Sequence, residues 1–183
     1  MPSTIYLVRH GEAASSWDQD PDPGLSEKGL AQARKFADQM QSEKAVRLVS
    51  SPLKRAQETS APLAELWQRQ ISIAPQIAEI PSHHIPFEKR RAWLNEVMQK
   101  IWQDQSDTLK NWRQTILDFV SGLEEDTVLF SHFMVINAIV GAVEGDDNVM
   151  IFRPDNCSVT RLSVNDGRLS LIERGHEAIT VVR

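Results

Sequence analysis

Residues 5–12 constrain the fold of this chain more than any other stretch. An apolar run of strand length, residues 5–8, ends abruptly on Arg9, His10 and Gly11. A glycine permits backbone turns that other residues resist, so the pattern predicts a strand followed by a tight turn. In open α/β sheets, ligands bind just beyond the carboxyl ends of the strands. His10, beside a guanidinium, is therefore a candidate nucleophile facing an anion.

The composition is ordinary for a folded domain with one hydrophobic core. The chain has 183 residues, of which 41% are hydrophobic and 25% are charged. Its formal net charge is −5, and the sequence contains no block of like charges. Bulk electrostatics therefore does not favour nucleic acid or an anionic membrane as a partner. An anionic substrate would need a local cluster of basic groups.

The chain carries no signal that points to an oxidising compartment or a membrane. Cys157 is its single cysteine, which excludes an internal disulfide. The first residues run into a strand without the basic and apolar regions of a signal peptide. No segment approaches the ~18 uninterrupted apolar residues of a membrane helix. We therefore expect a cytoplasmic protein.

Short apolar runs alternate with amphipathic stretches after the first strand. Further strands are predicted at residues 46–50 and 127–130, with a short one between them at Ile71 and Ile73 that could extend to Ile77. Ser26 is predicted to cap one helix, and Ser51 to cap another with Pro52 at its first position. Pro62 is expected to kink or restart that second helix.

The remaining patterns complete the fold prediction. A helical pair is predicted within residues 87–123, a buried apolar helix at 135–143, and a hairpin around Asp166-Gly167. The apolar residues expected to pack the first helix on the sheet are Leu30, Ala33, Phe36, Ala37 and Met40. The predicted fold is α/β, a three-layer α/β/α arrangement with a mostly parallel sheet and an antiparallel edge. It forms a single domain, residues 1–183, with a helical insertion at about residues 78–123.

Several ordered motifs are similar to the signatures of a known family. Residues 7–12 read Leu-Val-Arg-His-Gly-Glu, and residues 51–59 read Ser-Pro-Leu-Lys-Arg-Ala-Gln-Glu-Thr. With Leu-Ser-Glu-Lys-Gly at residues 25–29 and the later Ser131-His132, they resemble the histidine phosphatase (phosphoglycerate-mutase-like) superfamily, in its phosphatase branch. The resemblance covers nearly the whole chain. It implies a phosphoglycerate-mutase-like fold and hydrolysis of phosphomonoesters through a phosphohistidine intermediate on His10.

The chemistry of the four core residues suits phosphoryl transfer. Arg9, His10, Arg55 and His132 are all expected at one edge of the sheet, because each follows a strand or opens a helix. Phosphoryl transfer requires a positioned phosphoryl group and neutralised charge on its oxygens. Two guanidiniums and a second imidazole can supply both. We therefore expect these residues to bind the phosphate and catalyse its transfer with no metal and no cofactor.

A leaving alcohol needs a proton, and Glu79 is the candidate general acid. It follows the third predicted strand and lies between the Arg55 and His132 segments. It also matches the position at which phosphomonoesterases of this family carry a Glu or Asp donor. Beside a bound phosphate, its carboxyl group would tend to keep its proton.

Three further residues are candidates for contacts with the substrate or its phosphate: Glu12, Ser16 and Asn156. Glu12 could instead order Arg9 or the adjacent loop, and simple loop roles are the alternative for the other two. We expect a small phosphorylated substrate, no nucleic-acid or membrane partner, and a monomer or homodimer. The pair His83-His84 is expected on the surface or in a substrate loop, because neighbouring side chains diverge and no other metal ligands stand nearby.

Three alternatives to a phosphomonoesterase stay open. A phosphoglycerate mutase would share the catalytic residues, but residues 13–24 lack the features of that pattern apart from Trp17. A protein phosphohistidine phosphatase would share Arg-His-Gly-Glu-Ala, but residues 78–123 argue against it, because those proteins typically lack the inserted helices and the carboxylate donor. A non-catalytic phosphate-binding scaffold is disfavoured by the intact set of catalytic residues.

Overall fold

The computed structural model describes residues 1–16 and 19–178. Trp17 and Asp18, in the loop predicted after the first strand, lie outside the described residues. Within the described residues, no helix is both long enough and apolar enough to cross a membrane.

The centre of the fold is a six-stranded sheet with the order β3-β2-β4-β1-β5-β6. Strands β3, β2, β4 and β1 are parallel, whereas β5 runs antiparallel to β1 and β6 antiparallel to β5. This topology confirms the predicted sheet and its antiparallel edge. The strands are β1 (Ser3–Arg9), β2 (Arg47–Ser50), β3 (Ile71–Ile73), β4 (Thr127–Ser131), β5 (Val159–Asn165) and β6 (Arg168–Glu173).

Helices cover both faces of this sheet, which confirms the three-layer arrangement. On one face, α1 and α2 pack Phe36 and Leu63 against Leu48 and Phe130. On the other face, α4 and α5 bury an apolar set that includes Ile116, Val120, Ile136 and Ile139. The helices are α1 (Glu27–Gln39), α2 (Lys54–Trp67), α3 (Arg90–Met98), α4 (Asp107–Ser121) and α5 (Phe133–Glu144).

Local signals place several of these elements correctly. The Ser26 hydroxyl accepts a hydrogen bond from the Gly29 backbone N–H and caps α1, as predicted. The β5–β6 hairpin turns on Asp166 and Gly167, whose φ angles of 49° and 75° are those a two-residue turn of this kind requires.

Other local predictions were wrong. Leu30 is 37% exposed, because Gly29 and not Leu30 faces the turn after β1. Helix α2 begins at Lys54 and not at Pro52, since the Ser51 hydroxyl accepts from the Leu53 N–H within a turn that precedes the helix. Of the two effects predicted for Pro62, the restart does not occur: α2 continues to Trp67, because buried residues on both sides of the proline hold the helix against the sheet.

The region predicted as a helical insertion, residues 78–123, contains α3 and α4. Helix α4 packs against α5, so it belongs to the layer that covers the sheet. Helix α3 brings Leu94 and Met98 to a cavity at the carboxyl edge of the sheet.

Strand register aligns the carboxyl ends of the central strands. Arg9 at the end of β1 lies opposite Ser131 at the end of β4, and Ser50 of β2 lies opposite Phe130. The residues that follow these strands therefore meet at one edge, where His10, Ser51 and His132 stand close together.

Candidate active site

His10 lies at the turn after β1 and is 7% exposed. Its Nδ1 is 2.6 Å from the Gly11 carbonyl oxygen, and its Nε2 is 3.1 Å from Nε of Arg55. Because a guanidinium can only donate, Nε2 must be the accepting nitrogen, and Nδ1 therefore carries the proton that is donated to Gly11. Burial, reinforced by Arg55, lowers the pKa of His10 to about 3. The imidazole is neutral at pH 7, and its Nε2 lone pair is directed at a cation.

The backbone turn that presents His10 depends on close approach between two glycines. A Cβ on Gly11 would lie 2.7 Å from the Gly29 carbonyl oxygen, too close for any side chain. The Gly11 N–H donates to the Thr59 hydroxyl (3.0 Å), and that hydroxyl donates to the Arg55 carbonyl (2.6 Å). One buried hydroxyl thus connects the turn carrying His10 to the helix carrying Arg55.

Arg9 and Arg55 bring unused hydrogen-bond donors to the same place. Arg9 donates from Nη1 to the Pro154 carbonyl (2.8 Å), and its guanidinium lies 5.3 Å from the centre of the Phe133 ring. Within residues 1–16 and 19–178, the buried Arg9 Nε and Arg55 Nη1 have no hydrogen-bond partner. Since buried polar groups are almost always paired, these donors indicate a site for an anion.

His132 follows β4 and is completely buried. Its Nε2 lies 2.7 Å from the Ser51 hydroxyl, and its ring centre is 5.3 Å from that of His10. Its Nδ1 has no partner among the described residues. Burial first, and then Arg55 and His10, hold the pKa of His132 well below its usual range. The side chain is therefore a neutral imidazole that can donate a single proton to an anion.

Glu79 lies in the segment after β3 and lines the cavity. Its Oε1 accepts a hydrogen bond from the Ile80 N–H at 3.0 Å. Burial raises the pKa of this carboxyl group, although Arg55 acts in the opposite direction. A carboxylic acid that keeps its proton to higher pH is suited to donate it to a leaving oxygen.

A cavity of about 330 Å³ opens above these residues. Arg9, His10, Arg55 and Glu79 line it together with the three further candidates, Glu12, Ser16 and Asn156. His132 lies behind the lining residues, in contact with His10. The structure thus brings all the candidate residues to one location; the roles assigned to them stay predictions.

The three further candidates are held in different ways. Glu12 accepts from the Ser26 hydroxyl (2.9 Å) and from Lys28 (3.0 Å), and the Lys28 hydrogen bond, followed by that of Ser26, lowers the pKa of its carboxyl group. It therefore joins the first turn to α1 while lining the cavity. Asn156 donates from Nδ2 to the His10 carbonyl at 2.9 Å, which fixes the loop after α5 against the backbone of His10. The Ser16 carbonyl accepts from the Gln19 N–H in a loop turn.

Some residues at the site were not predicted from the sequence. Thr59 and Asn137 act through long-range hydrogen bonds that no local pattern reveals. Arg153 lines the cavity from the loop after α5, and its only sequence signal was its place next to Pro154 in a segment without periodicity. Phe133 contributes a ring to both the cavity and Arg9.

The described part of the chain offers no obvious metal centre. No group of three or more His, Cys, Asp or Glu side chains there is arranged to hold a metal ion. His83 and His84 are exposed, pack edge to face with each other, and do not line the cavity. Burial raises the pKa of the Cys157 thiol to about 12, so this thiol is not a ready nucleophile.

Comparison with known proteins agrees with this arrangement. The family model described as histidine phosphatase superfamily (branch 1) matches residues 5–176. The uncharacterized protein Rv0525 of Mycobacterium tuberculosis is 30% identical over 127 residues, which is 64% of this chain and 60% of that protein. A probable phosphoglycerate mutase, GpmB of Photorhabdus laumondii, is 29% identical over 122 residues, which is 64% of this chain and 51% of that protein.

A solved structure, YhfR of Bacillus stearothermophilus, has the same fold. It superposes with a TM-score of 0.79 and covers 96% of this chain and 98% of its own, at 18% identity. The chain therefore has this fold throughout, although it spans only about 60% of the length of the curated relatives it matches first.

Proposed function

This chain belongs to branch 1 of the histidine phosphatase superfamily, and from that membership and the geometry of the site we propose that it hydrolyses phosphomonoesters through a phosphohistidine on His10. The observation that carries the proposal is the tautomer of His10. Its Nε2 carries a lone pair, its Nδ1 proton is held by the Gly11 carbonyl, and its low pKa keeps the ring neutral. A neutral imidazole fixed in this way is ready to attack phosphorus.

In the first step, Nε2 of His10 forms a bond to phosphorus as the ester oxygen leaves. The unpaired donors of Arg9 and Arg55, with His132 behind them, neutralise charge on the non-bridging oxygens. Because Arg55 Nε donates to Nε2 before substrate binds, this donor must turn from the imidazole to the phosphoryl group. Glu79 gives its proton to the leaving oxygen, so that an alcohol departs and a carboxylate remains.

In the second step, water attacks the phosphohistidine. The Glu79 carboxylate accepts a proton from that water, and the new bond to phosphorus releases Nε2 of His10. The products are inorganic phosphate, free imidazole and a protonated Glu79, which restores the starting state. This cycle needs one carboxyl group in two protonation states, which agrees with a raised pKa.

The test is capture of the intermediate. The protein is mixed with a radiolabelled phosphomonoester and quenched within milliseconds, and the label is then followed through acid and base. We expect an acid-labile, base-stable label that maps to His10 and is absent from His10→Ala. The exposed His83→Ala variant is the matched control and should label like the wild type. Label on any other residue, or wild-type turnover in His10→Ala, would refute the proposal.

A mutase activity is the second candidate, because 29% identity to a probable phosphoglycerate mutase extends over 64% of this chain. A mutase passes the phosphoryl group from His10 to a second hydroxyl, whereas a phosphatase passes it to water. Incubation with labelled phosphoglycerate separates them: a phosphatase releases inorganic phosphate, and a mutase returns isomerised phosphoglycerate. We expect phosphate release to dominate.

A further inference from the structure

The cavity extends beyond the residues that face the phosphoryl group. One part of its wall is apolar and is formed by Ile80, Leu94, Met98 and Phe133. Its volume of about 330 Å³ falls at the lower end of the ~300–1,000 Å³ usual for small-molecule sites. The space can therefore hold an organic group in addition to the phosphoryl group.

Arg153 lines this same cavity from the loop between α5 and β5. Its backbone is held on both sides. The Arg153 N–H donates to Oε1 of Glu177 (3.1 Å), and its carbonyl accepts from the Ala178 N–H (2.8 Å). The preceding Phe152 N–H donates to the buried Asn137 side chain at 3.0 Å. The position of this arginine at the cavity is therefore fixed by the fold.

The guanidinium of Arg153 is not used by the rest of the described structure. The residue is exposed, and its side chain makes no hydrogen bond or ion pair with residues 1–16 or 19–178. By contrast, Arg161 and Arg174 each pair with a glutamate. Pairing with a ligand would therefore break no contact seen in this part of the chain.

Neither of the acidic side chains that line the cavity pairs with Arg153. Of the two glutamates that line it, Glu12 is bound by Lys28, and Glu79 is the buried acid. A bound phosphoryl group accounts for Arg9 and Arg55. Arg153 is then the remaining guanidinium that lines the cavity. A planar carboxylate or a second phosphate would pair with it through two parallel hydrogen bonds.

We propose that Arg153 binds a second oxyanion of the substrate, so that the substrate class is a phosphomonoester carrying a further anionic group across a short apolar body. This inference rests on the proposed function for the reaction but names a separate specificity residue. Arg153 does not touch the reacting phosphorus; it selects among phosphomonoesters by binding their distant end.

The experiment compares substrates that differ only at that end. Short-chain ω-phosphooxy carboxylates are compared with their neutral amides and with the corresponding diol bisphosphates. For each substrate, kcat/KM is measured in the wild type, in Arg153→Gln and in Arg34→Gln, an exposed arginine on α1 that serves as the matched control. Phenyl phosphate, which lacks a second anion, reports the activity of the catalytic residues alone.

We expect the wild type and Arg34→Gln to prefer an anionic substrate over its amide by about tenfold or more in kcat/KM, as charge-assisted hydrogen bonds allow. The preference should fall close to one in Arg153→Gln, because kcat/KM for the anionic substrates falls there by a larger factor than kcat/KM for phenyl phosphate. The carboxylate and bisphosphate arms show which oxyanion is preferred. The inference is overturned if Arg153→Gln keeps the wild-type preference for the anionic substrate over its amide, or if the wild type has no such preference.

A binding measurement separates this inference from the proposed function. Non-hydrolysable phosphonate analogues with a terminal carboxylate or amide are titrated by calorimetry, which requires no turnover. Tighter binding of the carboxylate that is lost in Arg153→Gln supports the inference even if His10 forms no intermediate. Equal binding of both analogues contradicts it, whatever the enzyme hydrolyses.

Discussion

Nε of Arg55 donates a 3.1 Å hydrogen bond to Nε2 of His10, the nitrogen that we propose attacks phosphorus. The same arginine thus orients the imidazole in this structure and, in the proposed mechanism, binds the phosphoryl group. Its side chain is only 5% exposed, so no water competes freely for the contact. Loss of this guanidinium should therefore disturb the orientation of the His10 imidazole and remove a positive charge from the phosphoryl-binding site.

We therefore expect Arg55→Lys to lose activity although it keeps the positive charge. An ammonium is a point charge without the planar fork of a guanidinium, so it cannot hold Nε2 and the phosphoryl oxygens in the same geometry. A fall of roughly 10²–10³-fold in kcat is expected, typical for the loss of one preorganised donor. Steady-state kinetics checks this, with Arg34→Lys as the control. Near-native kcat in Arg55→Lys would show that charge alone is sufficient.

Glu79→Gln should slow alkyl phosphates more than activated aryl phosphates. Glutamine keeps the shape of the side chain but cannot give a proton, and an alkoxide leaves poorly without one. A leaving group that is already acidic needs that proton much less. The measurement is a series of phosphate esters that differ in the pKa of the leaving alcohol, with rates plotted for the wild type and for Glu79→Gln.

The slopes of these plots decide the role of Glu79. If the rate of Glu79→Gln depends more steeply on the pKa of the leaving alcohol than the rate of the wild type does, Glu79 is the general acid. If breakdown of the phosphohistidine limits the rate, all esters slow together, and a burst of released alcohol reveals the second step. Equal, near-native rates on every ester would remove Glu79 from the mechanism.

The same substitution makes a prediction for stability. Burial raises the pKa of Glu79 above its ordinary value of 4.5 in the folded state. As pH rises, the unfolded carboxyl group therefore ionises first, and the wild-type free energy of unfolding falls between that ordinary pKa and the raised one. Glu79→Gln has no carboxyl group to ionise, so its free energy of unfolding relative to the wild type should increase as the pH rises from 4.5 towards the raised pKa of Glu79. Urea unfolding of both proteins across this range is the check. A pH-independent difference would contradict a raised pKa.

Asn137 is predicted to be a positioning residue for the loop that reaches the site. Its buried Oδ1 accepts from the Ile151 N–H (2.7 Å) and the Phe152 N–H (3.0 Å). Asn137→Ala leaves both groups unpaired, at about 1–3 kcal/mol each in the free energy of unfolding. We expect lower kcat even in molecules that remain folded, because Asn156 on this loop binds the His10 backbone. Asn111, an exposed asparagine on α4, is the control: Asn111→Ala should change neither the free energy of unfolding nor kcat appreciably.

Excess chelator should leave hydrolysis of an aryl phosphate unchanged. The expectation rests on the guanidiniums of Arg9 and Arg55, which can offset the charge of the phosphoryl group, and on His132 as a neutral hydrogen-bond donor. Activity is measured after dialysis against a chelator and again after addition of divalent ions. Strict dependence on an added metal would overturn this part of the mechanism.

Local sequence patterns predicted the layers of the fold better than the starts of its helices. Apolar runs identify the strands β2 and β4 because both faces of each are covered by helices, and they identify β1 although Thr4 and Tyr6 on one of its faces are only partly buried. The start of α2 could not be predicted, because Ser51 offers its hydroxyl to a preceding turn and to His132, a residue far away in sequence. Cap signals describe a helix by itself, and tertiary contacts can displace them.

At the site, the sequence indicated which residues meet but not how they are held. The order of Arg9, His10, Arg55 and His132 was sufficient to expect one cluster. The tautomer of His10, the bridging Thr59 hydroxyl and the place of Arg153 depend on contacts between distant segments. Such contacts leave no periodic pattern, so only the folded structure could reveal them.

The pairing of β1 with β4 and β5 has a consequence for how this chain folds during its synthesis. Ile5 lies opposite Thr127 on one side and Leu162 on the other, so both neighbours of β1 are translated long after it. Until β4 and β5 have emerged from the ribosome, the apolar residues of β1 have no partner strands. Such exposed segments bind chaperones and are prone to aggregation. Chains released before β4 is synthesised should therefore lack a complete site, and the centre of the sheet should assemble only after β4 and β5 have been synthesised.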